Sequence, residues 1–211
     1  MKTYLTLFFS LLLISCRDCS EEGAFESLFN GKDFTGWGGA GKAEQAGYLV
    51  KDGVIESTSK CRFLITEKEY ENYVFKFEFQ LTPGANNGLG IHYPGTGDPA
   101  YTGMELQVLD NTHPKYAKLQ DYQYHGGLYT LVAAKKGHLK PVGQWNVEIV
   151  TVNGPKVKVE LNGVVIMEAN LDEINQSNPK HEGAKRRKGF LTFCGHGDIV
   201  RYRNLQIKEL P

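Results

Sequence analysis

Tyr73, Phe75, Phe77, Phe79 and Leu81 occupy every second position, with Lys76, Glu78 and Gln80 between them. A helix would scatter these five side chains around its circumference, whereas a strand puts them all on one face. The segment therefore predicts a half-buried strand whose aromatic side must be covered by a second layer. The same period recurs where Val157, Val159 and Leu161 alternate with Lys158 and Glu160, and Asn162-Gly163 then leads into Val164-Val165-Ile166. Asn-Gly accepts the positive φ values of a type I′ turn, so this stretch predicts a hairpin. Asn153-Gly154, after Trp145 to Val152, predicts a second turn of that kind and hence three consecutive antiparallel strands over about 145–167. Gly189 to Cys194 and Ile199 to Ile207 are expected to pair around Gly195-His196-Gly197-Asp198. The apolar parity switch between Val200, Tyr202 and Leu205, Ile207 predicts a bulge near Arg203-Asn204. Only Leu171 to Asn175, started by Asn170 or Asp172, reads as helix. Glycine contributes 24 of 211 residues, dispersed through turns. Many strands, Gly-rich turns and almost no helix predict an all-β, two-sheet antiparallel sandwich. A domain over residues 25–211 suits a jelly roll better than an immunoglobulin-type sandwich of ~100 residues.

The first residues have a different character. Met1-Lys2-Thr3-Tyr4 precedes the apolar run Leu5 to Ile14, which is too short to span a membrane as a helix and has the form of a secretory signal. Leu13-Ile14-Ser15-Cys16 resembles the bacterial lipobox. The expectation is a signal peptide over 1–15, a lipidated Cys16, a polar tether through residue 24, and a domain held at the cell envelope, periplasmic or on the outer-membrane surface, by its lipid anchor. Cys19 falls in the tether and Cys61 and Cys194 in the domain, so three thiols remain and cannot all pair; a Cys61–Cys194 bond stays open. Apart from Cys16 and Cys19 at the leader junction, no CxxC, HExxH or other metal-ligand spacing occurs, and a structural zinc is not expected. Lys+Arg and Asp+Glu both number 24, which gives no polyelectrolyte surface for nucleic acid. The basic run Lys185 to Lys188 closes a polar stretch from 175 and reads as a solvated loop rather than an anion patch.

Chemistry concentrates between Asn86 and Asp110. Asn86 to Tyr93 and Tyr101 to Asp110 are expected as neighbouring strands, with Glu105 and Gln107 on one face and Met104, Leu106 and Val108 on the other. His92, Tyr93, Tyr101, Glu105, Gln107 and Asp110 together offer carboxylate, amide and flat aromatic groups, the mixture a sugar site needs.

Several motifs add to this: Leu28-Phe29-Asn30-Gly31-Lys32-Asp33-Phe34-Thr35-Gly36-Trp37, Glu105-Leu106-Gln107-Val108-Leu109-Asp110, Gly126-Gly127-Leu128-Tyr129, Gln144-Trp145-Asn146, Leu161-Asn162-Gly163, His196-Gly197 and Tyr202-Arg203-Asn204-Leu205. In this order, across residues 25–209, they resemble the 3-keto-disaccharide hydrolase domain family. The resemblance implies a concanavalin A-like jelly roll, an oligosaccharide or glycoside substrate, and a Bacteroidetes-type lipoprotein. Phe193-Cys194-Gly195 departs from the family, where a Gln usually precedes the His-Gly turn.

A C3 keto group acidifies C2–H, so the C1 substituent can leave by elimination and water can then add. That chemistry needs a base, an oxyanion stabiliser and an acid. Glu105 is the expected base, as the one carboxylate on the wet face of its strand. His125 and His196 are the acid or oxyanion candidates, and Arg201 or Arg203 would hold the enolate. Tyr129 is a candidate stacking platform, while a core role is expected for Trp145. No cofactor is required, although a divalent metal at the oxyanion is compatible with the chemistry. Two alternatives stand beside this. One is a laminarinase-like two-carboxylate glycoside hydrolase using Glu105 and Asp110, with Gln107 where such enzymes carry a middle carboxylate. The other is a surface carbohydrate-binding module without catalysis.

Overall fold

The computed structural model of the chain describes residues 23–38 and 46–211. The leader, Cys16 and Cys19 lie outside the described residues. Within them, strands β1 (Glu26–Ser27), β2 (Tyr48–Lys51), β3 (Val54–Ser57), β4 (Phe63–Tyr70), β5 (Tyr73–Leu81), β6 (Asn86–Tyr93), β7 (Met104–Leu109), β8 (Trp145–Asn153), β9 (Lys156–Leu161), β10 (Val164–Asn170), β11 (Gly189–Cys194) and β12 (Val200–Glu209) form two antiparallel sheets. The larger runs β10-β9-β8-β5-β12-β3-β2, with β1 also on β12, and the smaller runs β4-β11-β6-β7. This is the jelly-roll sandwich that the alternation calls for.

The aromatic side of β5 forms the centre of the interior: Tyr73, Phe75, Phe77 and Phe79 are fully buried, with Phe75 and Phe77 stacked at 5.1 Å. Burial of each such ring is worth about 1.5–3 kcal/mol. The small sheet answers with Phe193 of β11, which stacks on Tyr202 of β12 at 3.9 Å and on Trp37 at 5.4 Å, so aromatic contact spans both sheets.

Local sequence signals hold where the geometry they need is local. Leu161 faces Val164 across Asn162 and Gly163, whose φ values of 51° and 86° are those of a type I′ turn. The β12 register shifts between Arg203 and Gln206, with Asn204 at φ 53°, where the parity switch requires a bulge. Helix α2 (Leu171–Ser177) is capped by the Asn170 side chain, which accepts from Asp172 N at 3.0 Å.

Three expectations change. At the β8–β9 turn Asn153 still pairs with Lys156, so the loop is Gly154-Pro155, one residue later than expected. Proline cannot take positive φ, which removes type I′. Tyr101 and Thr102 belong to a short helix, α1 (Pro99–Thr102), capped by Asp98, and β7 begins only at Met104. Finally, β11 and β12 do not pair: β11 lies between β4 and β6, β12 between β5 and β3, and residues 195–199 carry the chain from one sheet to the other.

The long connection from β7 to β8 folds back onto the smaller sheet. Gly126 N donates to Gln107 O, Gln107 N to Gly127 O, and Tyr129 N to Glu105 O, so residues 126–129 run along the free edge of β7. The polar stretch before β11 braces α1, because His181 Nε2 lies 3.1 Å from Ala100 O and Arg186 Nε donates to Thr102 O. Arg187 pairs with Asp172 and Lys185 with Glu182, so the basic run is absorbed by neighbours.

Candidate active site

All six side chains of β7 are buried, for two different reasons. Met104, Leu106 and Val108 enter the core, whereas Glu105 and Gln107 point out of the sandwich into a cleft of about 210 Å3 roofed by α1 and the β7–β8 connection. Glu105 is only 4% exposed, so its face of the sheet is not the solvated one that alternation alone would suggest. Room for it comes from β6, where Gly90 pairs with Glu105 and Gly88 with Gln107. A Cβ on Gly88 would sit 1.9 Å from Glu105 Oε1, and one on Gly90 would sit 2.4 Å from Thr192 Cγ2.

His196 comes to Glu105 from the crossover between β11 and β12. Its Nε2 lies 3.3 Å from Glu105 Oε1, and its side chain remains 44% exposed. The turn carrying it is fixed: Gly195 N donates to Arg62 O, Ser57 Oγ to Asp198 O, and Asn86 N to Asp198 Oδ2, with Lys115 Nζ 3.5 Å from the same oxygen. The hydrogen bond to Glu105 raises the His196 pKa above its ordinary value, against the opposing effect of burial; Asp98 and Asp198 add to the rise.

Tyr101 and Tyr129 complete the wall, their rings edge to face at 6.3 Å, and Tyr122 meets Tyr129 at 5.7 Å. Burial raises the Tyr129 pKa, with the neighbouring Tyr101 and Tyr122 adding to it, so its hydroxyl stays a donor at neutral pH. Glu105, Gln107, His196, Tyr101 and Tyr129 are thus brought together as the sequence suggested.

The other proposed residues are elsewhere. Arg201 and Arg203 project from the outer face of the larger sheet, across the sandwich from Glu105. Arg201 Nε lies 2.5 Å from Glu56 Oε2, and Arg203 pairs with Glu78 while its guanidinium lies 4.0 Å over the Trp145 ring. Trp145 is accordingly half-buried on that outer face and not a core residue. His125 points between the sheets, where Nε2 approaches Glu148 Oε2 to 3.0 Å without hydrogen-bond alignment and the ring packs 5.0 Å from Phe79. His92 is fully buried at a β6 irregularity with φ 51°; burial lowers its pKa to about 4. Tyr93 donates to Gly97 O and so ties down the loop before α1. Asp110 accepts from Gly84 N, Thr112 N and Thr112 Oγ1, and these bonds outweigh burial and lower its pKa; it organises a turn. It is not among the cleft-lining residues, so the Glu105–Asp110 pair required by the two-carboxylate alternative does not form.

Sequence reading missed Asn86, Asp98, Tyr116, Leu119 and Gln123, which also line the cleft. Asn86 shares the parity of Gly88, the residue paired with Gln107, so register would have placed it; its buried Oδ1 has no partner. Tyr116, Leu119 and Gln123 sit on the irregular connection, where no period exists to read. Among the described residues no group of three or more His, Cys, Asp or Glu side chains is placed to hold a metal. Cys61 and Cys194 are free and buried, and burial raises the Cys194 pKa beneath Gly90.

Comparison with known proteins places the chain among carbohydrate-active domains. A sequence profile described as the 3-keto-α-glucoside-1,2-lyase-like domain matches residues 24–208. The 3-keto-disaccharide hydrolase of Bacteroides thetaiotaomicron is 25% identical over 225 residues, covering 87% of this chain and 78% of that protein. A crystal structure of a candidate glycosyl hydrolase from Parabacteroides distasonis superposes with a TM-score of 0.79 at 28% identity, covering 90% of this chain and 95% of the other. A carbohydrate-binding module from Bacillus subtilis shares the fold alone, with a TM-score of 0.56 at 9% identity, covering 82% and 96%.

Proposed function

The chain belongs to the 3-keto-α-glucoside-1,2-lyase-like domain family, a carbohydrate-active, hydrolase-like domain, and from that premise we propose that it cleaves 3-keto-glycosides by proton abstraction, elimination and hydration. The observation that carries this reading is the pairing of a buried carboxylate, Glu105, with a half-exposed imidazole, His196, at 3.3 Å in a cleft walled by amide and phenol donors.

Glu105 takes the proton from C2, and the electron pair moves onto the C3 oxygen as an enolate. Collapse of the enolate expels the C1 substituent, whose oxygen takes the proton that His196 supplies. Water then adds across the enone and completes a net hydrolysis. Gln107 and the Tyr129 hydroxyl replace Arg201 and Arg203 as donors to the developing oxyanion, since they line the same cleft as the base. A paired Glu105⁻ and His196⁺ is the form in which base and acid are both ready, and the raised His196 pKa favours that form near neutrality.

The test offers the purified domain a 3-keto-glucoside and its unoxidised parent, each with and without a chelator. Turnover of the keto sugar alone is expected. Equal cleavage of the parent would show that the carbonyl plays no part, and binding of both without turnover would identify a carbohydrate-binding module, a role the fold also serves. Chelator sensitivity would add a metal at the oxyanion. The same proposal keeps the domain at the cell envelope through Cys16. Labelled fatty acid should enter the protein and be absent from Cys16→Ala; equal labelling of that variant would remove the anchor.

A further inference from the structure

His196 lines two hollows. On one side is the cleft just described, whose charged wall is acidic, with Glu105 and Asp98. On the other is a hollow of about 480 Å3 formed by the Ser59–Arg62 turn and Gly195–Gly197. Among the described residues, no carboxylate and no phenyl or phenol ring lines this second hollow. Its charged side chains are Lys60 and Arg62, both exposed and neither in an ion pair among the described residues. The hollow has a preformed floor: Gly195 N donates to Arg62 O at 2.7 Å, Gly197 N to Cys61 Sγ at 3.3 Å, and a Cβ on Gly195 would fall 2.4 Å from that sulfur. Two hollows of opposite charge therefore meet at the imidazole.

A glycosidic oxygen joins the sugar that reacts to the group that leaves, so the residue that protonates it lies between the sites for the two. We propose that the Lys60–Arg62 hollow receives the group released from C1, and that it selects a leaving group bearing an oxyanion, a uronate carboxylate in the first place. The direction of the substrate across His196 rests on the reaction proposed above; the anion preference rests on the hollow itself. The Arg62 fork matches a carboxylate with two parallel hydrogen bonds, and Lys60 adds a point charge. Both cations are exposed, so the gain is modest and sensitive to salt.

Calorimetry can read the subsite without any turnover. Methyl β-glucuronide, a 6-sulfated methyl glucoside and neutral methyl β-glucoside are titrated into the domain at low salt and at about 1 M salt, where the Debye length is ~3 Å. The glucuronide is expected to bind about tenfold more tightly than the neutral glucoside at low salt, a difference of about 1.4 kcal/mol. That preference should vanish at high salt and in a Lys60→Gln/Arg62→Gln double variant whose melting temperature matches the wild type. A sulfated glucoside binding as tightly as the glucuronide would support the subsite and widen its ligands to any oxyanion. Equal affinities for glucuronide and glucoside, no measurable binding of either, or a preference that survives in the double variant would overturn it. A glucuronide preference together with no turnover of 3-keto-glycosides would leave the subsite standing and remove the reaction instead.

Discussion

Glu105 acts on the His196 imidazole more strongly than burial does. The hydrogen bond between them holds the imidazole pKa above 6.5, so the stabilisation from the pair is complete below pH 6.5 and fades as pH rises through the folded-state value. Glu105→Gln leaves the shape of the site nearly intact and removes both the base and the charge that holds the His196 proton. The elimination rate should fall by about 10²–10⁴-fold, with substrate affinity retained. In the same variant the His196 titration followed by nuclear magnetic resonance should move down toward its ordinary value. Wild-type turnover by Glu105→Gln would assign the base to another group, and an unmoved His196 titration would mean that the pair does not form in solution. Arg201 and Arg203 show the limit of reading single residues: their parity correctly puts them on the opposite face from Val200 and Tyr202, but that face belongs to the sheet across the sandwich from the cleft.

At the scale of the element, the site is one strand pair with its neighbours cut away. Gly88 and Gly90 on β6 leave the volume that the side chains of β7 and β11 occupy. Neither needs positive φ, so the requirement there is space alone. Gly88→Ala should therefore fold yet displace the Glu105 carboxylate by about 1 Å or more, a displacement that costs on the order of 10²-fold in rate. Far-ultraviolet circular dichroism should stay strand-like while turnover drops; full activity would mean that Glu105 does not act from the position it holds. The β8 strand shows why His125 lies in the interior and not in the cleft. Its inward parity carries Asn146, Glu148, Val150 and Val152, and its outward parity Val147 and Ile149, so apolar periodicity does not reveal that an acidic residue waits in the interior for an imidazole.

Across the whole molecule, acid stability should depend on His92, a residue with no place in the cleft. Burial lowers its pKa to about 4, so the unfolded chain binds its proton first as pH falls below 6.5. Stability is therefore lost between about pH 6.5 and 4. The loss amounts to about 3 kcal/mol, because each tenfold change in proton affinity between the folded and unfolded chains is worth about 1.36 kcal/mol. His92→Asn keeps a residue type suited to φ 51° and removes the titration. Denaturant unfolding across that range should therefore show a smaller acid loss in the variant, and an identical loss in both proteins would rule out His92 as its source. Period-two alternation, the Asn162-Gly163 turn, the β12 bulge and the Asn170 cap were all legible in the sequence, because each is decided within a few residues by backbone sterics and the side-chain period of a strand. The sequence by itself also determined the polar face that carries Glu105 and Gln107. Which of the two outer faces becomes the cleft was decided only by the tertiary structure. Alternation separates inside from outside within one sheet but does not distinguish the outside of one sheet from the outside of the other. That distinction arises where residues 195–199 cross between the sheets and deliver His196 to Glu105, and where the β7–β8 connection closes over β7, contacts made between segments too far apart in the chain for any local period to record.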